Sequence, residues 1–85
     1  MPSITVYSKD YCPYCTAAKA LLEKKGVSFD LIDVGKDPEQ LSAMLDRSNG
    51  RRTVPQIFID DIHVGGFDDL SALDRNGELD QLLTH

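Results

Sequence analysis

The sequence predicts an α/β fold, a four-stranded mixed sheet with helices on its faces. Three observations carry that expectation. Short β-branched and aromatic runs alternate with stretches whose apolar residues recur at helical spacing. The first run, the helical stretch behind it and the next run fit within about 30 residues, the length of a βαβ unit. Such crossovers are right-handed by strong default. Two later runs flank Asp60-Asp61, which reads as a tight hairpin. Eighty-five residues, 41% of them hydrophobic, support one core and leave no room for a second. Without repeats, linkers or low-complexity segments, residues 1–85 are expected to form a single domain.

The elements follow in order. Ile4 and Val6, with Thr5, Tyr7 and Ser8 beside them, make a first buried strand. From Pro13 the period changes. Ala17, Ala18, Leu21 and Leu22 recur at helical spacing, and Lys24, Lys25 and Gly26 supply a stop. Residues 27–34 read as the second strand, with Phe29, Leu31 and Ile32 as its apolar content. Asp37-Pro38 opens a second helix as an N-cap followed by proline at the first helical position. Leu41, Met44 and Leu45 give it an apolar stripe, and Asn49-Gly50 ends it. Residues 56–59 and 62–64 are the hairpin strands, and Gly65-Gly66 breaks the second of them. Asp68 is expected to cap a third helix, with Leu70 and Leu73 inward and Asn76-Gly77 as its stop. Leu79, Leu82 and Leu83 suggest one last short helical turn.

Composition excludes several function classes. The formal charge is −5, from 14 acids against 9 bases. Duplex binding relies on many phosphate-neutralising cations, so nucleic acid is not expected as the main partner. No segment approaches the roughly 18–20 apolar residues of a membrane span. The opening Met-Pro-Ser-Ile-Thr-Val-Tyr lacks the basic region and long apolar stretch of a secretory signal. The expected compartment is the cytoplasm, where a structural disulfide would be unusual. The bases are unevenly placed: Lys9 and Lys19 flank the cysteines, and Arg51 and Arg52 precede Thr53-Val54-Pro55. A fold that gathers them would give an acidic protein a basic site, suited to a small anionic substrate. Taken singly, each reads equally well as a solvated surface charge.

Cys12-Pro13-Tyr14-Cys15 holds the only two cysteines, at the join between the first strand and the first helix. At this spacing one thiol can attack a bound disulfide and the other can resolve it. A C-x-x-C beside a βαβ pattern in a cytosolic protein marks a redox dithiol. The thiolate is the nucleophile; a free cysteine has a pKa of about 8.5, lowered by a helix N-terminus or a nearby cation. Cys12, at or just before the helix start, faces unpaired N–H groups and the positive end of the macrodipole. With Lys9 as a lesser influence, it is expected to be a thiolate near neutral pH. Cys15 lies about one turn further in, more buried and less ionised. Cys12 therefore attacks and Cys15 resolves. The competing readings are a structural cysteine pair, a zinc half-site and chance placement. Structural zinc wants four ligands; only His63 and His85 remain as nitrogen donors, and their spacing matches no zinc pattern.

Two further segments could bind a ligand. The residue before Pro55 is pushed toward extended geometry, and a proline at strand entry leaves the preceding backbone unpaired on one side. Val54 could then offer its N–H and C=O to a peptide-like ligand, pairing as one more strand. In Gly65-Gly66-Phe67-Asp68-Asp69, glycines permit close backbone approach and a helix N-terminus binds a carboxylate. Each segment alone also reads as a plain strand entry or a turn with an N-cap.

Together, Tyr-Cys-Pro-Tyr-Cys after a strand, Thr-Val-Pro-Gln-Ile-Phe and Gly-Gly-Phe-Asp-Asp-Leu closely resemble the glutaredoxin family. The match runs from Ile4 to about Leu83 and is to the small bacterial dithiol class. The resemblance implies a thioredoxin fold, a monomer, and glutathione as reducing co-substrate with no required metal. It implies reduction of protein disulfides and of protein–glutathione mixed disulfides, and a cis bond before Pro55. It places Lys9 toward the glycine carboxylate of glutathione and Tyr14 at the ligand's border. Thr53, Val54 and Pro55 would supply the strand-like contact. Gly66, Phe67 and Asp68 would hold the γ-glutamyl end through backbone N–H groups and the Asp68 carboxylate. Arg52 falls where other members carry varied polar residues, and its role, like that of Arg51, stays open. Phe67 stands where several relatives carry an extra cysteine, which removes one route to over-oxidised or dimeric forms.

Two other functions share this frame. One is an electron donor for ribonucleotide reductase, recharged by thioredoxin reductase; the glutathione-contacting set argues against it as the sole role. The other is an iron–sulfur carrier, a dimer bridged by a cluster on Cys12 and two glutathiones. That class typically has glycine and serine where this chain has Pro13 and Cys15.

Overall fold

The computed structural model describes residues 3–84. Its β-branched and aromatic runs form β1 (Ile4–Ser8), β2 (Asp30–Asp33), β3 (Gln56–Ile59) and β4 (Ile62–Gly65). They join in one sheet of order β2-β1-β3-β4. β1 runs parallel to β2 and antiparallel to β3, and β3 pairs antiparallel with β4. The sheet is mixed, as predicted. The helices are α1 (Pro13–Lys24), α2 (Pro38–Arg47), α3 (Phe67–Arg75) and α4 (Glu78–Leu83).

Alternation along the two central strands sorts the core into two clusters. Ile4 and Val6 of β1 and Ile57 and Ile59 of β3 are buried with Ala18, Leu22, Leu70, Leu79 and Leu83 of α1, α3 and α4. Tyr7 and Phe58 take the other parity and are buried with Val34 and Met44, the latter from α2. Tyr7 and Phe58 meet edge to face at 5.7 Å. Arg47 of α2 donates to the Tyr7 hydroxyl at 3.1 Å and lays its guanidinium 4.1 Å from the Phe58 ring centre. A polar residue on α2 thus covers the aromatic pair.

Two boundaries differ from expectation. β2 is shorter than residues 27–34, because only four residues pair with β1. Val27 and Phe29 pack on the first core from the connecting segment, and Leu31 is exposed on the edge strand. Their apolar character marks burial of a loop as much as pairing. The second difference is at α3. Asp68 does not cap it; Gly66 is the N-cap, and Asp68 is the second helical residue. Asp69, at the third helical position, accepts the Gly66 N–H at 3.1 Å, the returning half of a capping box. By contrast, Asp37 caps α2 as predicted, accepting the Glu39 N–H at 3.0 Å. Among the described residues, no helix is long and apolar enough to cross a membrane.

Candidate active site

The cysteine pair lies where β1 feeds α1. Tyr11 turns the chain with a φ of 60°. Cys12 is then the N-cap with extended backbone, and Pro13 takes the first helical position, where a missing N–H leaves nothing unpaired. The Cys12 sulfur accepts the Cys15 N–H at 3.3 Å, the role an oxygen plays at most N-caps. That sulfur is partly exposed and lies 3.8 Å from the Val54 carbonyl oxygen. Cys15 is only 2% exposed. Burial, and next a hydrogen bond toward the Cys12 sulfur, push its thiol up to about 11. The two sulfurs are therefore inequivalent: one is open and accepting, the other enclosed and protonated at neutral pH.

A cleft of about 170 Å³ opens on the Val54 side of Cys12. It brings together Tyr14 of α1, the segment Thr53, Val54 and Pro55 before β3, and Gly66, Phe67 and Asp68 at the start of α3. Three segments far apart in sequence thus meet. The Val54–Pro55 peptide bond is cis. The Tyr14 and Phe67 rings stand 6.4 Å apart and form an aromatic wall.

Lys9 is not among the cleft-lining residues; its stem lies beside Gly35. The cation of the cleft is Arg51, whose Nη1 is 3.7 Å from Asp69 Oδ2. Arg52 is exposed and outside the lining. Arg51 and Asp69 are the two lining residues to which sequence reasoning gave no role. Asp69 sits three residues after Gly66, the spacing of a capping box, a relation that shows only once Gly66 is known as the N-cap. No comparable signal separates Arg51 from Arg52. Gly65 has a φ of 114°, and a Cβ there would run into the Asp69 carboxylate. Any side chain at 65 would disturb the Arg51–Asp69 pair.

Behind the cleft lies Gln56, fully buried. Its Nε2 donates to the Thr53 carbonyl oxygen at 2.9 Å and to Thr53 Oγ1 at 3.1 Å. Among the described residues, no group of three His, Cys, Asp or Glu side chains gathers as a metal site. His63 stands on β4 against Gln56, and His85 lies outside the described residues.

A family model described as Glutaredoxin matches residues 4–64. The chain is 53% identical over 83 residues to Glutaredoxin 3 of Escherichia coli K12, covering 98% of this chain and 99% of that one. It is 52% identical over 84 residues to a glutaredoxin of Pseudomonas aeruginosa, covering 99% of each. Among solved structures, it is similar to the buckwheat glutaredoxin–glutathione complex, with a TM-score of 0.87 and 34% identity. That match covers 98% of this chain and 77% of the other. The solution structure of a glutaredoxin from Brucella melitensis gives a TM-score of 0.84 at 52% identity, covering 98% and 89%.

Proposed function

The chain belongs to the glutaredoxin family of thiol–disulfide oxidoreductases, and from that premise we propose that it reduces protein–glutathione mixed disulfides and protein disulfides at the expense of glutathione. The observation that carries this reading is the inequivalence of Cys12 and Cys15 beside a cleft lined by Thr53 and Val54.

In this reading the Cys12 thiolate attacks the glutathionyl sulfur of a mixed disulfide. The old S–S bond breaks, and the substrate's thiolate leaves and takes a proton from solvent. A second glutathione thiolate then attacks the sulfur attached to Cys12. It forms oxidised glutathione and returns the Cys12 thiolate, so one glutathione is consumed and the glutathionyl group of the mixed disulfide makes the other half of the product. With a protein disulfide, Cys12 first joins one substrate sulfur. Cys15, on losing its proton, then attacks the Cys12 sulfur and frees the substrate. The resulting Cys12–Cys15 disulfide is reduced by two glutathiones. The raised pKa of Cys15 keeps it out of the first step and makes its deprotonation part of the second.

Glutathione is a peptide with carboxylates at both ends. Its backbone would pair along Val54 as an added strand, with Thr53 and Pro55 framing that contact. The γ-glutamyl end would lie against Gly66, whose own N–H is held by Asp69, and reach the first N–H groups of α3 at Phe67 and Asp68, with the Asp68 carboxylate meeting its ammonium. Tyr14 would border the ligand. Two cations can serve the glycine carboxylate, Arg51 in the cleft and the exposed Lys9. What supports this placement is that seven of the eight expected contact residues share one cleft. The buckwheat relative was solved with glutathione. The reaction belongs in the cytoplasm, where glutathione sets the thiol poise.

The test is turnover of a glutathionylated peptide with glutathione, recycled by glutathione reductase. Steady turnover is expected. Turnover only when thioredoxin reductase recycles the protein would replace this reading with that of an electron donor outside the glutathione system.

A further inference from the structure

We propose that His63 is a positioning residue for the ligand-binding strand: its ring N–H, acting through the Gln56 amide, holds Thr53 where it presents the Thr53-Val54 backbone to glutathione. The proposal deepens the glutathione reading and rests on it for the ligand.

Gln56 opens β3 and has no exposed surface. A buried primary amide needs partners for both its N–H groups and its oxygen. Nε2 finds them in the carbonyl and hydroxyl oxygens of Thr53, at 2.9 and 3.1 Å. Oε1 is left to His63 Nε2, at 2.7 Å. Turning the amide over would set its oxygen against the Thr53 carbonyl, two acceptors facing each other. The Thr53 carbonyl therefore fixes which way the amide points. An amide oxygen can only accept, so the proton of His63 must be on Nε2.

The ring itself is fixed. It stacks on Phe58 with centres 4.8 Å apart and planes 18° from parallel. The charged groups that face it are Arg51 from the cleft loop, Arg47 from α2 and Asp69 from α3. Burial, and then Arg51, lower its pKa below the ordinary 6.5, with Asp69 opposing. At physiological pH the ring is neutral, and its one N–H is committed to Gln56. His63 is not among the residues lining the cleft, whereas Thr53 and Val54 are. Its influence on a ligand therefore passes through Gln56.

Two variants separate positioning from packing. His63→Leu keeps bulk and removes the N–H. His63→Gln keeps an amide N–H close to the position of Nε2. In His63→Leu, the backbone amide resonances of Thr53 and Val54 should shift in the ligand-free protein. KM for glutathione should rise about five- to tenfold while kcat changes by less than about twofold. His63→Gln should return both toward wild type. Unmoved amides and an unchanged KM in His63→Leu would overturn the proposal, and so would a lowered melting temperature with both of these unaffected. Nitrogen-detected NMR of the unaltered protein decides the tautomer even where His63→Leu does not fold. Protonated Nε2 at pH 7.5 is expected, and protonated Nδ1 overturns the chain of bonds. If the wild-type protein does not turn over glutathione, the function proposed above fails, while the amide shifts still judge whether His63 holds Thr53.

Discussion

A cysteine at an N-cap and a cysteine one turn further in meet different surroundings on one helix. Cys12 receives an N–H at its sulfur and is partly open to solvent. Cys15 is enclosed, and its thiol is held up to about 11. That difference predicts the variants. Cys12→Ser should lose all activity. Cys15→Ser should keep reduction of glutathione mixed disulfides, which needs one protein thiol, and lose reduction of protein disulfides. Equal loss of deglutathionylation in both variants would refute the roles. Alkylation reads the same asymmetry directly. In the folded, reduced protein near pH 7.5, iodoacetamide should modify Cys12 alone by mass spectrometry. Modification of Cys15 should require unfolding or a pH near 11. The folded state holds the Cys15 proton more tightly than the unfolded chain, whose thiol titrates as a free cysteine. Its contribution is full below about pH 9 and is lost as pH rises toward 11. Denaturation midpoints of the wild type should fall over that window more than those of Cys15→Ser.

At the scale of elements, the start of α3 shows where sequence reasoning reached and where it stopped. Gly65 to Asp69 was legible as a turn opening a helix that could take a carboxylate. Both adjacent aspartates line the cleft, and which of them caps depends on the helix phase. The left-handed φ of Gly65 and the extended backbone of Gly66 set that phase, and no period in the sequence reports it. Asp69 holds the Gly66 N–H and pairs with Arg51; Asp68 is exposed at the cleft. Asp68→Asn should therefore raise KM for glutathione with little change in melting temperature. Asp69→Asn should also cost stability, roughly 0.3–1.5 kcal/mol for a helix-terminal contact. For a chain of this size, 1 kcal/mol moves the midpoint by about 4–8 °C. Similar thermal losses in the two variants would contradict the assignment of caps. The second strand has the same lesson. Val27 and Phe29 signalled burial correctly, but a period-2 reading cannot tell a paired residue from a buried loop residue.

At the scale of the whole molecule, the same helix that presents Cys12 fills the larger core. Ala18 and Leu22 are fully buried on α1. Leu22→Ala should cost about 2–5 kcal/mol, a large share of the 5–15 kcal/mol that holds a typical domain. It should show in urea midpoints before it shows in the chemistry. Apolar spacing made this face readable from the sequence. The basic site was only partly readable. Four cations looked well placed, yet only Arg51 lines the cleft, because convergence of distant loops is decided by tertiary packing. The remaining charge acts at longer range. The molecule carries −5 and measures 33 × 25 × 20 Å. At 0.01 M ionic strength the screening length is about 30 Å, so an approaching substrate senses the whole acidic body; at 1 M it is about 3 Å and only contacting side chains matter. One glutathionylated peptide, made with basic or with acidic flanks, tests this. The basic form should react faster at low salt, by about tenfold in kcat/KM, and the two should converge at high salt. A ratio that ignores salt would place substrate discrimination in the cleft around Arg51 and Asp68, because contacts that close escape screening.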